Sequence, residues 1–187
     1  LGLSTVLFDE QPVPGGQIYR AVTETPLRAT RILGDEYWRG ASLWSDFSSS
    51  GAAYAPGTTV WSVSREREIG VSIDGVARLV AARRIVMATG ALERPFPIPG
   101  WTLPGVMTAG AAQILLKTGG LVGQGRVLLA GCGPLLWLIA WQYLNAGKTI
   151  DAILDTTPRA NWSTAWPHLP AFLASRYAAD TPLSLRG

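Results

Sequence analysis

Apolar residues occur along this chain in several short, unbroken runs, which is the pattern of strands buried on both faces. Four such runs predict short strands, at residues 5–8, 85–87, 127–131 and 152–154. Helices are predicted by helix-favouring composition or by proline and glycine at their ends, over residues 26–34, 108–118, 134–145 and 171–179. Strands that alternate with helices predict an α/β fold with a parallel sheet.

Residues 58–80 follow a different pattern, because apolar and polar residues alternate there with a period of two. Asp74 and Gly75 separate two of the alternating runs, and an Asp-Gly pair in that setting is a strong hairpin signal. The sequence therefore predicts a small antiparallel β-meander just before the strand at residues 85–87.

The stretch at residues 83–101 joins a predicted strand to a segment that cannot be helical. The apolar run at 85–87 leads into Thr89 and Gly90, where a missing Cβ lets the main chain approach a ligand. Prolines at alternate positions from 95 to 99 then keep the chain extended. A ligand site at the end of the strand and an ordinary buried strand followed by a proline-rich loop both fit this spacing.

Two acids follow the first predicted strand. Asp9 and Glu10 come directly after residues 5–8, where a carboxylate can accept two hydrogen bonds from the hydroxyls of a ribose. Gly15 and Gly16 expose backbone that a nucleotide could contact. Solvated acids followed by a plain turn are the alternative.

A second candidate site begins at Gly131. Gly131 and Gly133 separate a predicted strand from a helix with Pro134 in its first turn, so backbone N–H groups and the positive helix end would face a pyrophosphate. Asp155 follows 24 residues after Gly131 and ends the next strand, close to the spacing of about 20 for a ribose-binding acid. Leu136 replaces the third glycine of GxGxxG, so the motif is incomplete.

Composition argues against several classes of function. A hydrophobic content of 48% with 16% charged residues indicates a folded protein, and a net charge of +3 gives no support to nucleic-acid binding. The single cysteine, Cys132, excludes an internal disulfide and a CxxC pair, and cannot by itself hold zinc or an iron–sulfur cluster. The single histidine, His168, excludes a catalytic pair of histidines. No metal site is predicted, and no catalytic residue can be assigned.

Residues 127–144 contain no charge and reach the lower limit of a membrane span, which is roughly 17–25 residues. Gly131, Gly133 and Pro134 interrupt this run early. A short strand and a helix are therefore predicted there, and no transmembrane span.

Three motifs occur in an order that resembles one protein family. They are DEQPVPGGQIYR from residue 9, ATGALERPFPIPGWTLPGVMTAGAAQ from residue 88, and AGCGPLL from residue 130. The chain is similar to FAD- and NAD(P)-binding oxidoreductases of the pyridine nucleotide-disulfide oxidoreductase fold, over nearly residues 1–158. Within them it most resembles the alpha-type subunits of opine oxidase, hydrogen cyanide synthase, dye-linked proline dehydrogenase and heterotetrameric sarcosine oxidase.

The resemblance implies two Rossmann-like, three-layer dinucleotide-binding domains, both incomplete. Residues 1–118 would form part of an FAD-binding domain, with the meander at about 58–80 as its β-insert. Residues 119–187 would form part of a second, NAD-type domain.

The same resemblance assigns roles to single residues. Asp9 or Glu10 would bind the ribose in the adenine half of FAD. Further FAD contacts are implied for Gly15, Gly16, Gln17, Thr89 and Gly90, with Glu93 and Arg94 in the loop that follows. Gly131, Gly133 and Asp155 would belong to the second domain, where NAD, another nucleotide and no ligand all stay open.

The function implied is that of an FAD-dependent oxidoreductase subunit. It would act on CH–NH or CH–NH2 donors such as opines, proline or sarcosine, together with a flavoprotein beta subunit of the D-amino-acid-oxidase type. A cytoplasmic location follows, with association at the periphery of the inner membrane as an alternative. A non-catalytic nucleotide-binding or assembly subunit is the second hypothesis, in which some of the eight tryptophans serve an interface.

The family's first strand, GxGxxG turn and helix would precede Leu1, and the return of the chain to the FAD domain would follow Gly187. We therefore expect this chain to be a fragment that does not hold FAD tightly by itself.

Overall fold

The computed structural model describes residues 2–174, which divide into two compact units. Unit 1 comprises the residues up to Phe96 together with Ile114–Leu121. Unit 2 comprises Pro97–Gln113 and the residues from Val122 onward. The assignment of FAD-type and NAD-type domains to this chain stays a prediction.

Unit 1 contains a parallel pair of strands. Strand β1 (Val6–Phe8) pairs with β2 (Ala53–Ala55), with Leu7 opposite Tyr54. The connection runs through helices α1 (Thr30–Leu33) and α2 (Asp35–Ser49), because parallel strands need a crossover. The strand predicted at residues 5–8 is confirmed.

The helix predicted over residues 26–34 is shorter in the structure. The Thr25 hydroxyl accepts a hydrogen bond from the Leu27 N–H at 3.3 Å, a local turn that competes with helix formation. Helix α1 therefore starts only at Thr30, and it ends as predicted at Gly34. Helix α2 was not predicted, although Tyr37, Trp44 and Phe47 are spaced for one helical face.

The predicted meander is confirmed. Strands β3 (Thr58–Val63), β4 (Glu68–Ile73) and β5 (Val76–Ala81) form an antiparallel sheet in that order. Asp74 and Gly75 have φ angles of 51° and 77° and join β4 to β5, as in the type I′ turns of two-residue hairpins. The alternation therefore identified both the strands and their turn.

The buried strand predicted at residues 85–87 is wrong. Residues 84–98 form neither helix nor strand, and the side chains of Val86 and Met87 are 89% and 72% exposed. None of the sheets of the described residues includes this run, so its backbone has no ladder in which to pair. The expectation that the proline-rich segment after it is not helical is confirmed.

Helix α3 (Ala109–Gly119) matches the helix predicted over 108–118, and its residues from Ile114 onward belong to unit 1. Leu116 is fully buried there, and Leu33 and Tyr37 are 4% exposed, so these apolar side chains form part of the core of that unit.

Unit 2 has a strand, helix, strand order. Strand β6 (Leu128–Gly131) pairs in parallel with β7 (Ala152–Asp155), and helix α4 (Pro134–Asn145) connects them. All three elements match their predictions. Ile139 on α4 is fully buried and Leu136 is 5% exposed, so this helix supplies core residues of the unit.

The last described elements are helix α5 (Arg159–Ala165), a 3₁₀ turn (Trp166–His168) and helix α6 (Leu169–Leu173). Helix α6 overlaps the start of the helix predicted over 171–179, and the rest of that prediction lies outside the described residues. Within residues 2–174 every helix is too short or too polar to cross a bilayer.

Candidate functional site

The first candidate site lies in unit 1 at the carboxyl end of β1. The Asp9 backbone N–H donates to the Ala55 carbonyl at 3.2 Å, and its carbonyl accepts from the Thr58 N–H at 2.9 Å. Asp9 is therefore held by backbone hydrogen bonds to the chain following β2. The parallel pairing of β1 and β2 is the reason that the acid stands at a strand end.

The carboxylate of Asp9 is held at both oxygens. Its Oδ1 accepts from the Gln11 N–H at 2.9 Å, and its Oδ2 accepts from the Tyr54 hydroxyl at 3.4 Å. Burial, followed by the charge and hydrogen bond of Asp9, raises the pKa of Tyr54 to about 12. Tyr54 therefore stays a proton donor at neutral pH. Because each carboxylate oxygen offers two acceptor positions, Asp9 retains capacity for ligand hydroxyls.

Glu10 differs from its neighbour. It is exposed, and its Oε1 accepts only a long bond of 3.4 Å from the Gln11 side chain among the hydrogen bonds given for it. Of the two acids that the sequence offered for one role, Asp9 has the fixed position.

Gly15 and Gly16 open a tight turn that ends at Arg20. Their φ angles are 125° and 54°, values that residues with a Cβ rarely adopt. The Gly15 carbonyl accepts from the Tyr19 N–H at 2.8 Å, and a Cβ on Gly15 would collide with the Tyr19 backbone. A Cβ on Gly16 would meet no atom within 4 Å, so the backbone there is open to a ligand.

A pocket of about 500 Å³ lies beside this turn. Its wall includes Gln11, Pro12, Val13, Arg20, Glu24 and Thr118. One guanidinium nitrogen of Arg20 donates to Gln11 Oε1 at 2.5 Å, while the buried Arg20 Nε has no hydrogen-bond partner among the described residues. Gln11 thus links the Asp9 carboxylate to the Arg20 side of the pocket.

The remaining residues proposed for FAD are placed differently. Thr89, Gly90, Glu93 and Arg94 lie in the exposed, irregular segment of unit 1. Gly90 has a φ of 68° and open space around its Cα. Gln17 is also exposed, but its carbonyl accepts a hydrogen bond from the side chain of Lys117. The roles of all these residues stay predictions.

The second candidate site is the strand edge of unit 2. Gly131 and Asp155 are register partners at the ends of the parallel strands β6 and β7, and the Thr156 N–H donates to the Gly131 carbonyl at 2.8 Å. Gly133 precedes the first turn of α4 with a φ of 82°. The glycine turn, the N-terminus of α4 and Asp155 therefore meet at one edge of this sheet.

The Asp155 carboxylate is exposed and oriented by its own loop. Its Oδ1 accepts from the Thr157 hydroxyl at 2.6 Å and from the Thr157 N–H at 2.9 Å. These two bonds lower the pKa of Asp155 below its ordinary value. The second oxygen, Oδ2, lies outside these bonds.

Three residues of the unit 1 site were missed by sequence reasoning. Tyr54 holds the Asp9 carboxylate, Arg20 lines the pocket, and Lys117 binds the turn at Gln17 and Ile18. Arg20 is the last residue of the DEQPVPGGQIYR motif and could have been found there. Tyr54 and Lys117 carry no local signal, since both are distant in sequence from the residues they contact.

The described residues hold no group of three or more His, Cys, Asp or Glu side chains placed to bind a metal ion.

The fold is that of a known dehydrogenase. The crystal structure of L-proline dehydrogenase from P. horikoshii matches 82% of this chain with a TM-score of 0.65, at 17% sequence identity, and the match covers 31% of that chain. No family model matches the sequence.

Sequence comparison is more specific. The chain is 46% identical over 184 residues to the A subunit of opine oxidase from Agrobacterium tumefaciens (strain Ach5), covering 94% of this chain and 37% of that protein. It is 38% identical over 160 residues to the HcnB subunit of hydrogen cyanide synthase from Pseudomonas aeruginosa, covering 82% of this chain and 34% of that protein. The chain spans about a third of the length of these relatives.

The protein therefore belongs to the family of alpha-type oxidase and dehydrogenase subunits that includes these opine oxidase and hydrogen cyanide synthase components.

Proposed function

We propose that this chain is part of one subunit of a multi-subunit, FAD-dependent oxidoreductase that oxidises an amine or amino acid. The named relatives are subunits of oxidases and of a synthase, which supports the multi-subunit part of the proposal. Opines, proline and sarcosine are the substrate class that we propose, and a flavoprotein beta subunit of the D-amino-acid-oxidase type is the proposed partner.

The observation that carries the proposal is the fixed carboxylate of Asp9 at the carboxyl end of a parallel strand. Acids in this position bind the hydroxyls of a nucleotide ribose in dinucleotide-binding folds. The Asp9 carboxylate keeps acceptor positions beyond its bonds to Gln11 and Tyr54. We infer that Asp9, rather than Glu10, binds the adenine-side ribose of FAD.

The residues around Asp9 fit the rest of that cofactor half. The open backbone of Gly16 can approach a ligand closely, and the cationic Arg20 lines the neighbouring pocket. A bound flavin supplies the redox chemistry of such an enzyme, while the protein binds and orients it. In this chain that work falls to Asp9, Gly15, Gly16 and Gln17, with Thr89, Gly90 and Arg94 proposed for the phosphate region.

For unit 2 we propose a second nucleotide site, with NAD as the first candidate. Its support is the placement of Gly131, Gly133, the α4 N-terminus and Asp155 at one sheet edge. Backbone N–H groups at a helix N-terminus favour a phosphate, and the exposed carboxylate favours a ribose.

The FAD proposal is tested by titrating the purified chain with FAD and following flavin fluorescence. We expect Asp9→Asn to weaken FAD binding roughly tenfold, because a charged acceptor of hydroxyl hydrogen bonds is lost. Glu10→Gln removes a neighbouring charge from an exposed side chain and is the matched control, with an expected change under about twofold.

Two results would contradict the proposal. Equal losses in the two variants would mean that general charge, and not the position of Asp9, governs binding. An unmodified chain that binds no FAD up to about 1 mM, the weak end of specific affinities, would remove FAD from the proposal for this chain.

A further inference from the structure

Lys117 is a buried lysine that no sequence motif singles out. It lies in the last turn of α3 and is 3% exposed. Its Nζ donates to the Gln17 carbonyl at 3.0 Å and to the Ile18 carbonyl at 2.7 Å. A buried ammonium is costly unless it is paired or hydrogen-bonded, so these carbonyls are what make this position tolerable.

Tyr37 acts on the same turn from helix α2. The Lys117 ammonium lies 5.5 Å from the centre of the Tyr37 ring, within the range of cation–π attraction. The Tyr37 hydroxyl donates to the Arg20 carbonyl at 2.8 Å. Lys117 and Tyr37 therefore hold three carbonyls of one short segment, those of Gln17, Ile18 and Arg20.

This segment has a reason to need external support. It begins with Gly15 and Gly16, both at positive φ, and glycine loses more conformational freedom on ordering than any other residue. Gln17 is exposed, and Ile18 is 70% exposed, so little apolar burial holds them. Without side-chain donors from α2 and α3, water would satisfy these carbonyls in many loop conformations.

We infer that Lys117 is a positioning residue, which holds the Gly15–Gln17 backbone in the conformation that receives a nucleotide. The loop part of this inference rests on geometry alone, and the ligand part rests on the proposed FAD function. An ordered binding loop raises affinity because the entropy of ordering is lost before the ligand arrives.

The inference separates loop order from overall stability. Replacing a buried ion by an apolar side chain of similar volume is often neutral or stabilising. Lys117→Met is therefore expected to leave the thermal midpoint of the chain unchanged or higher, while the loop loses its brace. A lysine that only stabilised the fold would lower the midpoint.

The experiment is hydrogen exchange by mass spectrometry on the nucleotide-free chain, followed by FAD titration. In Lys117→Met we expect amide exchange in residues 15–20 to speed up roughly tenfold or more, with exchange in strands β3 to β5 unchanged. FAD affinity is expected to fall by a similar factor. Lys117→Arg keeps a charge and donors and is expected to restore much of both.

Lys148→Met is the matched control. Lys148 is the other lysine of the chain, and its Nζ also donates to a backbone carbonyl, that of Gly125 in unit 2, at 2.6 Å. Its replacement is expected to leave residues 15–20 and FAD binding unchanged. If Lys117→Met is unfolded by circular dichroism, Lys117→Gln carries the same test.

Each outcome decides a different point. Unchanged exchange at residues 15–20, or a uniform increase across unit 1, would overturn the positioning role. Faster loop exchange with unchanged FAD affinity would overturn only its ligand part. An unmodified chain that binds no FAD would overturn the proposed function and the ligand part together, while the exchange result would still decide the brace.

Discussion

Single residues at the unit 1 site owe their chemistry to what surrounds them. Burial and the nearby positive charge of Arg20 lower the pKa of Lys117 to about 8 from 10.5. Burial and Asp9 raise the pKa of Tyr54 to about 12 from 10.0. Both side chains are donors at neutral pH, and the groups they hold are the turn at Gln17 and Ile18 and the carboxylate of Asp9.

The pKa of Lys117 predicts a specific dependence of stability on pH. Between pH 8 and 10.5 the folded chain loses this proton before the unfolded chain does, so the contribution of Lys117 to the free energy of unfolding rises with pH. Below pH 8 the full cost of burying the ammonium applies. Tyr54 and Tyr37 begin to titrate in the unfolded chain only near pH 10.0, where their raised folded-state pKa values act in the opposite direction.

Urea unfolding of the unmodified chain and of Lys117→Met, at pH values between 8 and 10, measures this effect. The difference between the two chains isolates the titration of Lys117, and we expect it to move in favour of the unmodified chain as pH rises. A difference that stays constant, or that moves the other way, would show that the folded-state pKa is not lowered.

At the scale of elements, helix α2 shows how one glycine can fix a packing arrangement. Gly40 lies in the middle of α2, and a Cβ at that position would lie 2.5 Å from the ring of Tyr19. Tyr19 belongs to the turn that begins at Gly15, so this close approach joins the helix to the candidate site.

We expect Gly40→Ala to destabilise the chain by about 1–3 kcal/mol, because overpacking against Tyr19 outweighs the gain of about 1 kcal/mol in helix propensity. Ser45→Ala, at an exposed position of the same helix, is the control and is expected to change stability by less than about 0.5 kcal/mol. Chemical denaturation measures both variants. A stabilising Gly40→Ala would mean that the ring of Tyr19 moves aside freely.

At the scale of the whole molecule, each unit places an acid and glycine-rich backbone after a parallel strand, Asp9 in unit 1 and Asp155 in unit 2. We found no residue in either set to which a proton transfer can be assigned. The proposed division of labour is therefore that this chain holds nucleotides while the full enzyme supplies the remaining chemistry.

That division predicts the behaviour of the complex. With the partner subunit co-purified on a tagged chain, we expect dye reduction that depends on an opine, proline or sarcosine. Asp9→Asn should lower this rate roughly tenfold at limiting FAD without weakening assembly. If the variant assembles and keeps full activity under those conditions, the non-catalytic assembly role becomes the better account.

The elements that could be predicted are those whose signals are local. Asp74 and Gly75 marked the meander turn, and Pro134 marked the start of α4. Asp155 was predicted at the end of β7, opposite the glycine turn, because parallel strands bring their carboxyl ends to one edge. The family resemblance came from ordered motifs and is confirmed by the relatives.

What the sequence by itself determined is therefore the set of short elements, the two acid and glycine patterns, and the family. Only the tertiary structure decided that Lys117 and Tyr54 belong to the site, because they contact Gln17 and Asp9 across long separations in sequence. It also decided that the apolar run at 85–87 is exposed rather than a strand. The physical reason is that turns and caps depend on neighbouring residues, whereas burial and strand pairing depend on what the rest of the fold places alongside.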